Sequence, residues 1–93
     1  MPSTAEELPN GHTDDAAPAA LPVRTAAELG AALRAQRRRL ALKQLDIAGL
    51  GNTGNRFIVE LEGGKPTVQL QKALDIVDLL GLELVLRPKG GAR

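Results

Sequence analysis

The chain has no cysteine, tryptophan or tyrosine, and a single phenylalanine, Phe57. Without cysteine there is no disulfide, no thiolate metal site and no thiol nucleophile. With one aromatic residue the core must be aliphatic, and 43% hydrophobic content is enough to make one. The one histidine, His12, lies in a polar stretch far from every candidate site. From Val23 onward there is no His, Cys or Tyr, and the acids are scattered. No acid/base pair, nucleophile triad or metal cluster can be assembled from such residues, so a non-enzyme without a cofactor is expected. No apolar run approaches the ~18 residues of a membrane span, and the N-terminus carries acids where a signal peptide would carry Lys or Arg. A cytoplasmic protein with no membrane partner is the expectation.

Basic residues are also missing from the first 22 positions. Glu6, Glu7, Asp14 and Asp15 stand there unopposed, for a charge of −4, whereas residues 23–93 hold all 12 bases against 7 acids, for +5. The body is therefore basic, which suits a polyanionic partner. The acidic stretch has four prolines and only two leucines. It buries too little apolar surface to offset ordering, which predicts a disordered arm over 1–22. Ninety-three residues make one small domain. A domain of that size is marginally stable alone and favours a partner or a second copy.

What is present is helical periodicity. Thr25-Ala-Ala-Glu28 has the form of a capping box, and Leu29, Leu33, Gln36/Arg37 and Leu40 make one stripe of a first helix ending near Leu40. Arg37, Arg38 and Arg39 fall in its last turn, where cations oppose the negative helix end. Arg37 lies on the apolar stripe and so demands an acidic partner, because an unpaired buried charge is costly. A second helix is expected from Lys43 to about Gly49, with Leu45, Ile47 and Ala48 apolar and Ala48 small enough for a close crossing. Gly51-Asn52-Thr53-Gly54 breaks it, with Asn52 suited to a left-handed backbone. Thr53 or Gly54 then opens a third helix that stops at Gly63-Gly64. Phe57, Ile58 and Leu61 face inward, leaving Asn55, Arg56, Val59 and Glu60 outside. Two short helices joined by a tight turn, the second with a polar outer face, form the helix-turn-helix signature.

A fourth helix is predicted over Val68 to Leu80, capped by Thr67 and stopped by Gly81. Its core stripe is Leu70, Ala73, Leu74, Val77 and Leu80, and Val68, Ile76 and Leu79 widen the apolar surface toward a second packing partner. Leu82-Glu83-Leu84-Val85-Leu86-Arg87 alternates as a strand should, and Pro88 ends it. A lone strand leaves backbone groups unpaired, so antiparallel pairing with the same strand of a second copy is expected. Leu82, Leu84, Val85 and Leu86 are the expected dimerisation residues.

Gly49-Leu50-Gly51-Asn52-Thr53-Gly54 also spells the dinucleotide-binding pattern G-x-G-x-x-G. That motif works after a buried strand and before a helix N-terminus. Leu42-Lys43-Gln44 is too polar for such a strand, the nearest acid in the ribose position is Asp75, and only one strand follows. A P-loop fails too, since Asn55-Arg56 stands where Lys-Ser/Thr is needed.

From Val23 to Lys89 the chain resembles the Cro/repressor-type helix-turn-helix proteins and, among them, the HipB-type antitoxins. The resemblance is carried by Arg37-Arg38-Arg39-Leu40-Ala41-Leu42-Lys43-Gln44, by Asn55-Arg56-Phe57-Ile58-Val59-Glu60-Leu61-Glu62-Gly63-Gly64-Lys65-Pro66-Thr67, and by Gly81-Leu82-Glu83-Leu84. It implies a mainly α fold: a four- to five-helix Cro/repressor-like domain over 23–81, a C-terminal strand over 82–88 pairing across a homodimer, and a flexible tail over 89–93. It implies that Gln44 contacts phosphate and that Asn55, Arg56 and Glu60 meet base edges. Lys65 becomes a backbone contact, and Lys43 and Thr53 join the DNA-binding set. Arg37 is implied to pair with Glu62. The implied function is a dimeric repressor of a double-stranded operator that also neutralises a HipA-like Ser/Thr kinase toxin. A stand-alone regulator and a dimeric interaction module without DNA are the alternatives. Gly54, where the family often has Ser, removes a side-chain cap and a phosphate ligand.

Overall fold

The computed structural model describes residues 20–91. The expected arm lies outside them up to residue 19, and residues 20–22 are exposed and carry no regular structure. Four α-helices follow one another among the described residues: α1 (Ala26–Arg39), α2 (Gln44–Leu50), α3 (Asn55–Glu62) and α4 (Leu70–Leu79). None is long and apolar enough to cross a membrane.

α1 starts as its composition dictates. Thr25 Oγ1 accepts the Glu28 N–H at 3.0 Å, while Glu28 Oε1 reaches one residue further back than expected, to the Arg24 N–H at 2.6 Å. All four helices end in the same way. A left-handed residue follows the cap (Ala41, Asn52, Gly64 and Gly81), with φ between 53° and 86°. The N–H after each of them returns to a carbonyl five residues back, as in Leu42→Arg37 (3.1 Å), Thr53→Ala48 (2.9 Å), Lys65→Glu60 (3.0 Å) and Leu82→Val77 (3.0 Å). These are Schellman closures, which satisfy carbonyls left open by the last turn. Asn52 takes the left-handed backbone expected of it. Ala41 takes it with a β-carbon, although alanine normally avoids that region.

The core is aliphatic: Leu33, Ile47, Ala48, Ile58, Leu61, Ala73, Ile76, Val77 and Leu80, with Leu29, Leu42, Phe57, Val68 and Leu82 packed at its edge. Three expected core positions are exposed instead. Leu40 is the cap of α1 and turns away, and Leu45 sits on the outer side of α2, since Ile47 and Ala48 supply the inward face. Leu70 is exposed because α4 begins two residues later than predicted. Pro66 and Thr67 are used up in a turn, so Gln69 rather than Thr67 stands at the cap, and makes no side-chain capping bond. Ile76, expected as surplus, is buried, and the inward stripe of α4 is Ala73, Ile76, Val77 and Leu80.

α3 packs against both α1 and α2, and α4 packs against α2. The tight crossing occurs at Gly30 rather than at Ala48. A β-carbon on Gly30 would collide with the carbonyl oxygen of Leu61 and lie 2.6 Å from that of Glu62. A bare glycine backbone thus lets α1 rest on the last turn of α3. Beyond α4, Gln36 Nε2 donates to the Leu80 carbonyl at 2.9 Å and ties that end to α1. Residues 82–88 carry no strand in the single chain, and Lys89–Gly91 form a 3₁₀ turn within what was expected to be tail.

Candidate nucleic-acid interface

The interface is the α2–turn–α3 unit and what braces it. Gly54 caps α3 without a side chain to offer, and α3 then presents two sides. Ile58, Leu61 and Glu62 are buried, while Asn55, Arg56 and Val59 are exposed and Glu60 is half-buried. The helix is held by its inner side and shows its outer side to solvent.

The inner end is fixed by a buried ion pair. Arg37 Nε donates to Glu62 Oε2 at 2.6 Å and Nη2 to Oε1 at 3.0 Å, so the contact is bidentate. Arg37 Nη1 donates to the Leu42 carbonyl at 2.8 Å, and Gln44 Nε2 reaches Glu62 Oε1 at 3.0 Å. One carboxylate therefore joins α1, α2 and α3. Burial pushes the Glu62 carboxyl up, but the hydrogen bonds from Arg37 and Gln44, with the charges of Arg37 and Arg34, outweigh it and leave it below the usual carboxylate range. The bond to Glu62 raises Arg37 in turn, against its own desolvation.

At the outer end Glu60 is shared. Its carboxylate accepts from Arg56 Nε at 3.2 Å and lies 3.4 Å from Lys65 Nζ. The Arg56 bond, then Lys65, holds Glu60 below the usual carboxylate range. Only Nε of Arg56 is engaged, and its side chain is 89% exposed. Its two terminal nitrogens make no hydrogen bond to another residue among the described residues.

The predicted site residues thus fall into groups. Asn55, Arg56, Glu60 and Lys65 share the outer face and the turn after it. Gln44 serves the inner pair, at the α2 N-terminus, where Lys43 is the cap and its N–H donates to Asp46 Oδ2 at 2.7 Å. Thr53 does not join either group: its hydroxyl is enclosed and has no hydrogen-bond partner, so it is not offered outward. Leu84, Val85 and Leu86 are exposed, but Leu82 packs against the domain's own core and is tied by its N–H to Val77. Arg34, which the helical pattern did not single out, and Arg38, one of the three arginines in the last turn of α1, border the cleft above the buried pair. Exposed charges on a helix carry no periodic signal that would mark them.

No family model matches the chain. An uncharacterized HTH-type transcriptional regulator, y4mF, of Sinorhizobium fredii (strain NBRC 101917 / NGR234) is 39% identical over 71 residues, covering 76% of this chain and 93% of that relative.

Proposed function

Because the chain belongs to the helix-turn-helix transcriptional regulators, we propose that it is a sequence-specific repressor whose α3 enters the major groove of operator DNA. The observation that carries this is the outward side of α3: Asn55 and an 89%-exposed Arg56, with Glu60 and Lys65 beside them. Arg56 pairs with guanine and Asn55 with adenine, Glu60 orients Arg56, and Lys65 with Lys43 and Gln44 meets the backbone. Replacing Arg56 with alanine weakens operator binding by about 1–3 kcal/mol and relaxes one base position. A gel shift on the protein's own promoter checks it; unchanged affinity and selectivity would remove Arg56 from the groove.

The working unit is a homodimer, two copies reading half-sites in successive major grooves. Its support is the segment 82–88, which carries no regular structure and whose Leu84, Val85 and Leu86 are exposed at 49%, 63% and 96% and unpaired in the single chain. Pairing two such segments covers these side chains and satisfies their backbone groups. A chain shortened before Glu83 is expected to scatter light as a monomer; an intact dimer would move the interface to α4.

The resemblance of 55–67 and 81–84 to HipB-type antitoxins extends the reading to neutralisation of a HipA-like kinase and autoregulation of a shared operon. Co-purification with a kinase encoded next to the gene tests that extension, and its failure leaves a stand-alone regulator. The protein acts in the cytoplasm, on the nucleoid, by binding rather than catalysis. A nucleotide-dependent melting shift would contradict that last point.

A further inference from the structure

Arg34 and Arg38 stand four residues apart on α1, both exposed, and so share one helical face. With Lys43 they rim an open cleft of about 470 Å³. Its floor is the Arg37–Glu62 pair with Gln44, and its far wall is Val59 and Gly63 of α3. The only acid in that lining is Glu62, whose charge is taken by Arg37 through two hydrogen bonds. Among the described residues Arg34, Arg38 and Lys43 join no salt bridge. Three cations without a salt-bridge partner among the described residues therefore border a cleft that reaches Val59 on the exposed side of α3.

We propose that Arg34, Arg38 and Lys43 clamp successive phosphates of one DNA strand, so that the footprint continues from the helix-turn-helix onto α1. The inference rests on the DNA-binding reading above and assigns two contact residues beyond it. Side chains at i and i+4 are about 5–6 Å apart at their β-carbons, comparable with the spacing of neighbouring phosphates along a strand. Each guanidinium presents a planar fork that fits phosphate oxygens. The buried pair contributes as a neutralised floor: a free carboxylate at Glu62 would repel the backbone, whereas a paired one does not.

Salt dependence of binding separates this from a generally basic surface. Binding of the full chain to a short mixed-sequence duplex would be followed by fluorescence anisotropy across a salt series. Arg34→Gln and Arg38→Gln keep the stem packing and remove the charge. Each is expected to lower the slope of log affinity against log salt by ~0.9, the value of one phosphate contact, and the double variant by about twice that. Lys89→Gln removes an equal charge from the C-terminal turn and is expected to leave the slope unchanged. Parental slopes in both arginine variants, or an equal loss in Lys89→Gln, would overturn the clamp. A parent chain that fails to bind duplex at low salt would overturn the DNA-binding reading itself, and the clamp with it.

Discussion

α3 takes part in two arginine–glutamate pairs, one on its buried side with Arg37 of α1 and one on its exposed side, and burial separates their roles. Arg37 and Glu62 meet bidentately at 2.6 and 3.0 Å, with side chains 10% and 3% exposed. Arg56 and Glu60 meet through one bond of 3.2 Å, with side chains 89% and 28% exposed. The first pair is largely shielded from salt and water, and the Leu42 carbonyl and Gln44 hold it in place from either side. The second competes with solvent at every moment, is screened by salt, and contributes little to stability. The same two side-chain types thus make a joint in one place and a releasable contact in the other. The DNA reading proposed for α3 would use both: a fixed buried side to set its angle, and an outer side whose charges can exchange protein partners for bases and phosphates.

Removing Glu62 is expected to have the largest effect. Glu62→Ala leaves Arg37 charged and buried without its partner, at a cost of about 3–5 kcal/mol. That is a large share of the ~5–15 kcal/mol holding a small domain folded. A urea midpoint shift checks it; a loss below about 1 kcal/mol would place this pair in the same class as the exposed one. Acid titration sharpens the same point. Glu62 titrates below its ordinary 4.5 in the folded chain, so the stability it contributes is complete above the unfolded-state value. It disappears as pH falls through the lower folded value. The parent should therefore lose melting temperature through this acid range, and Glu62→Ala should lose less of it. Arg37 is raised above an already high value and gives no matching alkaline limb.

Gly30→Ala attacks the joint from the other side without touching a charge. Its β-carbon would meet the carbonyls of Leu61 and Glu62, which are backbone and cannot swing aside. α1 must then lift from the last turn of α3, costing about 1–3 kcal/mol by overpacking. The measurement is again the urea midpoint. An unchanged midpoint would mean that the crossing relaxes freely and that the buried pair tolerates a looser frame.

The order of the helices and the inward face of α3 are legible in the apolar spacing, because an aliphatic core has only Leu, Ile, Val and Ala to distribute, whereas the spacing misplaces Leu40, Leu45, Leu70 and Ile76. Arg37 is legible as a buried cation because it interrupts a leucine stripe, and Glu62 as its partner only through the family resemblance. Other features leave no trace of that kind. Gly30 lies in an alanine-rich helix, where a glycine for close approach looks like any tolerated glycine. Ala41 is a strong helix former by type, and its left-handed backbone follows from the Schellman closure around it. Gly51 reads as part of a phosphate-loop pattern or as a weak point of α2. In the fold it caps α2, where a β-carbon would lie 2.9 Å from Ile76 Cδ1. The inward hydroxyl of Thr53 and the cleft bordered by Arg34 and Arg38 depend on how helices meet, which periodicity along one helix does not encode.

Glu60→Gln is expected to give the smallest change in stability and tests the comparison from its weak side. Glu60 is held low mainly by Arg56, yet the pair stands in solvent, so losing the charge should leave the urea midpoint where it was. Binding should respond instead. Without the carboxylate, Lys65 and Arg56 are no longer drawn to a common point, and both become free for phosphate. Affinity for mixed-sequence duplex is expected to rise while the preference for the operator falls, since phosphate contacts position and only oriented base contacts discriminate. Paired anisotropy titrations on the two duplexes read that ratio. If the midpoint instead dropped toward that of Glu62→Ala, the outer pair would be a second joint, and α3 would have no end left free to read.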